Sequence, residues 1–340
     1  MEVKNLPIDN QKFPETINWL LEGPAWVRYN VLTGLLENDA ASDEAQEAYQ
    51  SMIADTKITG LIKDVNAWET AVLRRHNDAN HPIHKLSFLA EIGVRTDTPG
   101  MGTALELITG HISTEGPLQV LSNYPTNFGG SGKDEWLWVL CDAPVIMFAL
   151  VRLDKKYAQV YAKGIQHLTQ LSRENGWPCA AAEAVGKFKG PGKRSDPCPY
   201  ANVLMLKLHA ELGMPADTGP VKNGVETLLS LWENSRSERP FLFKMGTNFR
   251  KHKVPFVWYD ILHVAHILSH FPQTHPDKRF LSMIEVILSK ASSEFRFTSE
   301  SVWMKWKGWE FCQKREPSRW VTYYVLKILK QAGYDVTLSK

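Results

Sequence analysis

Residues 192–208 read GKRSDPCPYANVLMLKL, a basic loop that ends in Asp196-Pro197-Cys198-Pro199-Tyr200 and runs directly into apolar residues at helical spacing. Proline is tolerated in the first turn of a helix, where its missing N–H would have had no partner, so the stretch predicts a helix opening at Pro199. Asp196 then falls at or near the N-cap, where a carboxylate satisfies free amides and favours the helix dipole. The same figure recurs in PAWVRYNVLTGLL from Pro24, HPIHKLSFLAEIG from His81, CDAPVIMFALVRL from Cys141, VWYDILHVAHIL from Val257 and SRWVTYYVLKIL from Ser318. Anchored on Trp26, Pro82, Ala143, Pro199, Trp258 and Trp320, the copies are 56, 61, 56, 59 and 62 residues apart. A period of that length is the mark of a repeat architecture.

A second helical series lies between the first: KITGLIKDV, ALELITGHI, YAKGIQHLTQL, VETLLSLWEN and SMIEVILSKA, with reference residues Ile58, Ile108, Ile165, Val225 and Ile284 spaced 50, 57, 60 and 59 apart. With ETINWLLEG near the N-terminus as its first member, six helical hairpins result. Such hairpins stack as an open solenoid or close into a ring. Segments of the first series are apolar around much of their circumference, as a helix packed on several sides requires. The expectation is therefore all-α, an (α/α)6 toroid with inner and outer helix rings around a central cavity, in a single domain over residues 1–340. Strand-like alternation between turn signals is missing from the sequence. The loops after the second series, such as ENGWPCAAAEAVGKFKGPGKRSD and NYPTNFGGSGKDEW, are long, and long loops on one side of an array usually carry function.

Bulk properties narrow the partners. A chain of 340 residues that is 44% hydrophobic and 22% charged can bury a large core, and a net charge of +2 without a basic run argues against nucleic acid. No stretch reaches the length of a membrane span and no secretory signal opens the chain, so a cytoplasmic protein is expected. Cys141, Cys179, Cys198 and Cys312 are far apart and form no CxxC, so reduced thiols are expected.

With the repeat and its Gly-rich turn NFGGSGKDEWLWVLCDAPVIMFAL, together with WLLEGPAWVRYNVLTGLL and PSRWVTYYVLKILK, the chain resembles the terpenoid cyclase and protein prenyltransferase superfamily, including its uncharacterised bacterial members. The resemblance implies an apolar or isoprenoid-like ligand in the central cavity and a prenyltransferase-like transferase activity. It also implies zinc ligands at Asp196 and Cys198, which match the family's Asp-x-Cys, and a diphosphate contact at Lys193. The third zinc ligand, a His, falls near Val257 or Trp258 by the repeat, whereas His263 lies five residues beyond Trp258. Nothing matches the DxDD acid of the cyclase branch.

The residues themselves keep several readings open. Asp196 is either a helix cap or a ligand, and Cys198 is either a buried small side chain or a thiolate. Lys187, Lys189, Lys193 and Arg194 sit in a Gly-rich loop that suits an anion or simply solvent. RRHNDANHPIHKL holds His76, His81 and His84 within nine residues, with His84 a candidate ligand-binding residue. Asp142, Trp258 and Tyr259 are candidates for ligand binding at helix starts, and Asp260 and Tyr200 for acid–base work beside Asp196 and Cys198. Many tryptophans fall near loop–helix junctions, where they stack on ligands or fill the core. Two other classes fit six hairpins: a sugar-active toroid (glycosidase, lyase or epimerase-like) with a carboxylate pair among Asp142, Asp196 and Asp260, and a non-catalytic helical scaffold. The consecutive placing of the fourth and fifth inner helices predicts that Asp196, Cys198 and Tyr200 face Trp258, Tyr259 and Asp260.

Overall fold

A computed structural model describes residues 10–185, 190, 192–237 and 243–336. Among them the helices are α1 (Phe13–Leu21), α2 (Ala25–Asn30, continued by a π-helical turn Val31–Leu35), α3 (Asp43–Ile53), α4 (Thr56–Val65), α5 (Pro82–Glu91), α6 (Met101–Thr109) and α7 (Ala143–Leu153). They continue with α8 (Lys156–Val160), α9 (Ala162–Gln170), α10 (Pro199–Glu211), α11 (Gly219–Glu233), α12 (Ile261–Leu268), α13 (Lys278–Leu288) and α14 (Arg319–Gln331). The chain is all-α apart from one antiparallel ribbon, β1 (Val120–Ser122) against β2 (Glu135–Leu137), which pairs Val120 with Leu137 and Ser122 with Glu135. That ribbon is a small exception in a helical chain, and its three-residue strands are too short to show alternation in the sequence. No helix among the described residues is long and apolar enough to cross a membrane.

Two series of helices are distinguished by burial. Every residue of α5 and of α12 is buried, as is α10 from Pro199 to His209. By contrast α6 buries only Met101, Ala104, Leu105 and Ile108, the single stripe of an amphipathic helix. Proline occupies the first turn of α5, α7 and α10, as the sequence predicts. A helix outside the predicted pairs, α3, is capped by Ser42, which accepts from the Ala45 amide, and buries Ala45, Ala48, Tyr49 and Met52.

The chain forms two compact units. The first comprises Met1–Ile58, Met245–Phe256 and Asp260–Lys340. Within it α14 packs on α1, α2 and α12, and α12 on α13. Gly34 permits the approach of α14, because a Cβ there would lie 2.8 Å from the Tyr323 hydroxyl.

The second unit comprises Thr59–Lys244 and Val257–Tyr259. Here α7 packs between α5 and α10, and α10 also pairs with α11. One charged contact is buried among these helices. Lys207 of α10 donates to Glu91 and Ser87 of α5, and its ammonium lies 4.1 Å from the centre of the Phe148 ring of α7. Each partner offsets the desolvation of the other, which neither could bear alone. Large aromatics fill the cores of the two units: Trp26, Trp306 and Trp320 are fully buried in the first, Trp68 and Trp177 in the second.

Candidate functional site

The site in the second unit grows out of how the chain enters two neighbouring helices. Cys141 lies two residues before the first residue of α7, and Cys198 is the N-cap of α10, its sulfur accepting from the Ala201 amide at 3.5 Å. An extended segment from Trp177 to Ala181 is bonded to both approaches. The Cys198 amide donates to the Trp177 carbonyl (2.8 Å), and the Leu140 amide donates to the Ala180 carbonyl (2.9 Å). Asn202 locks this arrangement: its Oδ1 accepts from the Trp177 amide, and its Nδ2 donates to the carbonyls of Trp177 and Cys198. Gly176 leaves room for that side chain, since a Cβ there would lie 2.4 Å from Asn202 Oδ1 and its φ is +84°. Cys179 is thereby carried to the two other thiols.

The sulfurs of Cys141 and Cys198 are 3.8 Å apart and both residues are buried, whereas Cys179 is half-buried. Thiol hydrogen bonds from Cys141 and from Cys179 hold Cys198 well below the usual thiol range, against the cost of burying its charge and with help from the Ala201 amide and from His76. The same hydrogen bonds, with burial, push Cys141 and Cys179 upward. The hydrogen bonds of the cluster therefore act asymmetrically, favouring the thiolate at Cys198 and the thiol at Cys141 and Cys179.

Beside the thiols, His76 Nδ1 lies 2.9 Å from Asp142 Oδ1, and the Tyr124 hydroxyl donates to Asp142 Oδ2 at 2.9 Å. Burial opposes the imidazolium, yet the charge and hydrogen bond of Asp142 carry the His76 pKa above its usual value. Asp142 thus bonds His76 and Tyr124 rather than capping α7. His84 Nε2 bonds the His76 carbonyl at 2.7 Å, and burial lowers its pKa to about 4. Its other ring nitrogen is buried without a hydrogen bond, so His84 supports the position of His76.

Two adjoining spaces open on this cluster. The larger, of about 410 Å³, is lined by Arg173, Cys179, Gly190, Gly192, Lys193, Arg194, Asp196 and Phe243. The smaller, of about 50 Å³, is lined by His76, Val139, Cys141, Cys179, Ala180, Cys198, Phe243 and Trp258. Cys179 and Phe243 belong to both walls. Lys193 and Arg194 are exposed at the larger space, where Asp196 accepts from the Lys193 amide at 2.9 Å. Arg173 donates to the Arg194 carbonyl, tying the basic loop down.

Several sequence expectations are revised here. Cys198, not Asp196, caps α10, because the carboxylate is turned back to its own loop. Tyr200 is fully buried, donates to the Val257 carbonyl at 3.0 Å and packs against Trp258 with ring centres 4.3 Å apart. Burial raises its pKa well above the phenol range. Tyr259 accepts from the Lys244 amide, and burial raises its pKa to about 12. Asp260 belongs to the first unit, where it caps α12 by accepting from the Leu262 and His263 amides, and burial lifts its pKa to about 8. His263 is buried in that unit, stacked flat on Phe256 at 4.4 Å. Among the described residues no three or more His, Cys, Asp or Glu side chains are grouped to hold a metal ion. Lys187 and Lys189 lie outside the described residues.

The sequence reading passed over Cys141, Cys179, Arg173, Tyr124 and Phe243. A signal was available for the first: Cys141 and Cys198 are 57 residues apart, close to one repeat, and each lies within two residues of the start of its helix.

No protein-family model matches the chain, and no curated protein matches it in sequence. Among solved structures it is similar to a protein from Actinoplanes at 11% identity, covering 96% of this chain and 100% of that one, with a TM-score of 0.45. It is also similar to the type II terpene cyclase MstE from Scytonema in its apo form, at 11% identity, 96% and 99% coverage and a TM-score of 0.46. A variant of that cyclase in complex with geranylgeranyl dihydroxybenzoate matches at 12% identity, 95% and 98% coverage and a TM-score of 0.44.

Proposed function

We propose that the second unit binds a small organic anion with a short apolar end, of the kind presented by a prenyl or alkyl phosphate ester. The observation that carries this reading is the junction of a cationic space of about 410 Å³ with a small apolar chamber through a shared wall of Cys179 and Phe243. A space of that size suits a ligand of modest molecular weight. Arg173, Lys193 and Arg194 supply three positive charges against the single carboxylate of Asp196, a balance that favours a multiply charged head group. Phe243 and Trp258 offer the apolar tail two aromatic faces.

The sixty-residue period supports reading residues 1–340 as one six-hairpin domain, and four free cysteines suit a reducing, cytoplasmic setting.

Calorimetric titration of the full chain with dimethylallyl diphosphate, inorganic diphosphate and prenol tests the ligand reading. The ester is expected to bind at least about tenfold more tightly than either fragment, since both spaces then contribute. Equal affinity for the ester and inorganic diphosphate would remove the apolar chamber from the site, and no affinity for either anion would end the proposal.

A further inference from the structure

We infer that Cys141 and Cys198 form a dithiol that reduces small hydroperoxides and closes to a disulfide in the wall of the inner chamber. The two sulfurs already touch at 3.8 Å, so bond formation requires an approach of only about 1.7 Å to the usual disulfide length. Their backbones are fixed to a common element, the 177–181 segment, by the bonds to Trp177 and Ala180. Both sulfurs line a chamber of about 50 Å³, which has room for hydrogen peroxide. This site needs no anion in the larger cavity.

The order of events follows from the surroundings of each sulfur. Cys198 sits at the N-terminus of the thirteen-residue α10 and accepts from the Ala201 amide, so it is the attacking thiolate. Its sulfur bonds to one peroxide oxygen as the O–O bond breaks, and the departing oxygen takes a proton from His76 in the same wall to leave as water. Cys198 is then a sulfenic acid. The Cys141 sulfur gives up its proton and attacks the Cys198 sulfur, the S–S bond forms and the S–O bond breaks. Hydroxide leaves and becomes water with the proton from Cys141. In sum two thiols and one hydrogen peroxide give one disulfide and two waters, the two electrons coming from the thiols. His76 regains its proton from solvent, because the reacting thiolate had released one there. An external thiol reverses the reaction by exchange, entering on the side of the half-buried Cys179.

Cys312 is the internal control. It is half-buried in the first unit, donates to the Trp303 carbonyl at 3.3 Å, and burial raises its pKa. Among the described residues nothing there stabilises a thiolate.

The reduced full-length protein is treated with stoichiometric hydrogen peroxide, alkylated and mapped by mass spectrometry without reduction. Free thiols are expected to fall from four to two, with Cys141 joined to Cys198, Cys312 still alkylated, and full recovery on adding dithiothreitol. Cys141→Ser combined with Cys179→Ser leaves the Cys198 sulfenic acid without a neighbouring thiol, so that dimedone traps it at Cys198. Complete alkylation of Cys141 and Cys198 after treatment, a cross-link from Cys179 to Cys198 in their place, or oxidation of Cys312 as fast as Cys198 would each overturn the assignment. The mapping is done on the wild-type chain, so the result does not depend on any variant folding.

Discussion

His76 Nδ1 and Asp142 Oδ1 stand 2.9 Å apart, although their residues are 66 positions apart in the chain. The carboxylate raises the imidazole pKa, so the folded protein holds a proton that the unfolded chain releases sooner. The stabilisation is thus complete below the unfolded value near 6.5 and fades as pH rises through the elevated folded value. His76→Gln is expected to cost about 1–2 kcal/mol at pH ~5.5, shrinking toward the cost of one neutral hydrogen bond at pH ~9. Urea denaturation of both proteins at the two pH values measures this. His81 and His84 titrate in both and cancel from the difference. A gap that stays constant with pH would mean that His76 is neutral in the fold.

The exposed cations of the 192–196 loop act at long range. Lys193→Ala and Arg194→Ala are each expected to weaken binding of dimethylallyl diphosphate by about 3- to 10-fold, with most of that effect lost in ~0.5 M salt. Asp196→Asn removes the opposing charge while keeping an acceptor for the Lys193 amide, and should tighten binding a few-fold. Titrations at two ionic strengths check both signs together.

Asp260 tests burial in the first unit. Its pKa near 8 means that the folded state binds a proton which the unfolded chain has lost well below neutrality. Stability contributed by this group is full in acid and is lost as pH climbs to about 8. Asparagine is also a good N-cap. Asp260→Asn should therefore match wild type near pH ~4 and gain on it by up to about 1 kcal/mol per pH unit toward pH 8. Lys253, whose pKa burial lowers to about 8, adds an opposite trend only above that pH. Thermal or urea denaturation across this window gives the slope, and parallel curves for the two proteins would show an ionised Asp260.

Lys207 and Glu91 test a buried pair in the second unit. Lys207→Met leaves the Glu91 carboxylate in the core without its cation and should cost about 3–5 kcal/mol. Adding Glu91→Leu should recover most of that loss, because an apolar pair needs no desolvation. A double-mutant cycle by urea denaturation reads the coupling, and additive losses would place the pair in water.

What could be read in advance and what could not follows physical range. Pro82, Pro144 and Pro199 mark the first turns of α5, α7 and α10, because proline's constraint is local and visible in a single residue. The two burial patterns are equally local. Cys179 was invisible as a partner of Cys141 and Cys198, since it lies on an extended segment placed by backbone bonds to residues far along the chain. Asp196 and Cys198 are neighbours that compete for the same amides, and only the turn at Lys193 decides which of them caps α10. The α3 helix did have a local signature, Ser42 followed by acidic residues and a stripe at Ala45, Ala48, Tyr49 and Met52, but it breaks the period of the repeat.

Cys179 and Phe243 each present one side to the cationic space and another to the thiol chamber. With the proposed anion against one side and the proposed disulfide behind the other, neither equilibrium is independent of the other. The factor by which a bound anion changes the ease of closing the disulfide must equal the factor by which the closed disulfide changes the affinity for the anion. Ligand concentration then sets the potential at which the dithiol is half oxidised, and ambient potential sets the concentration at which the cavity is half filled.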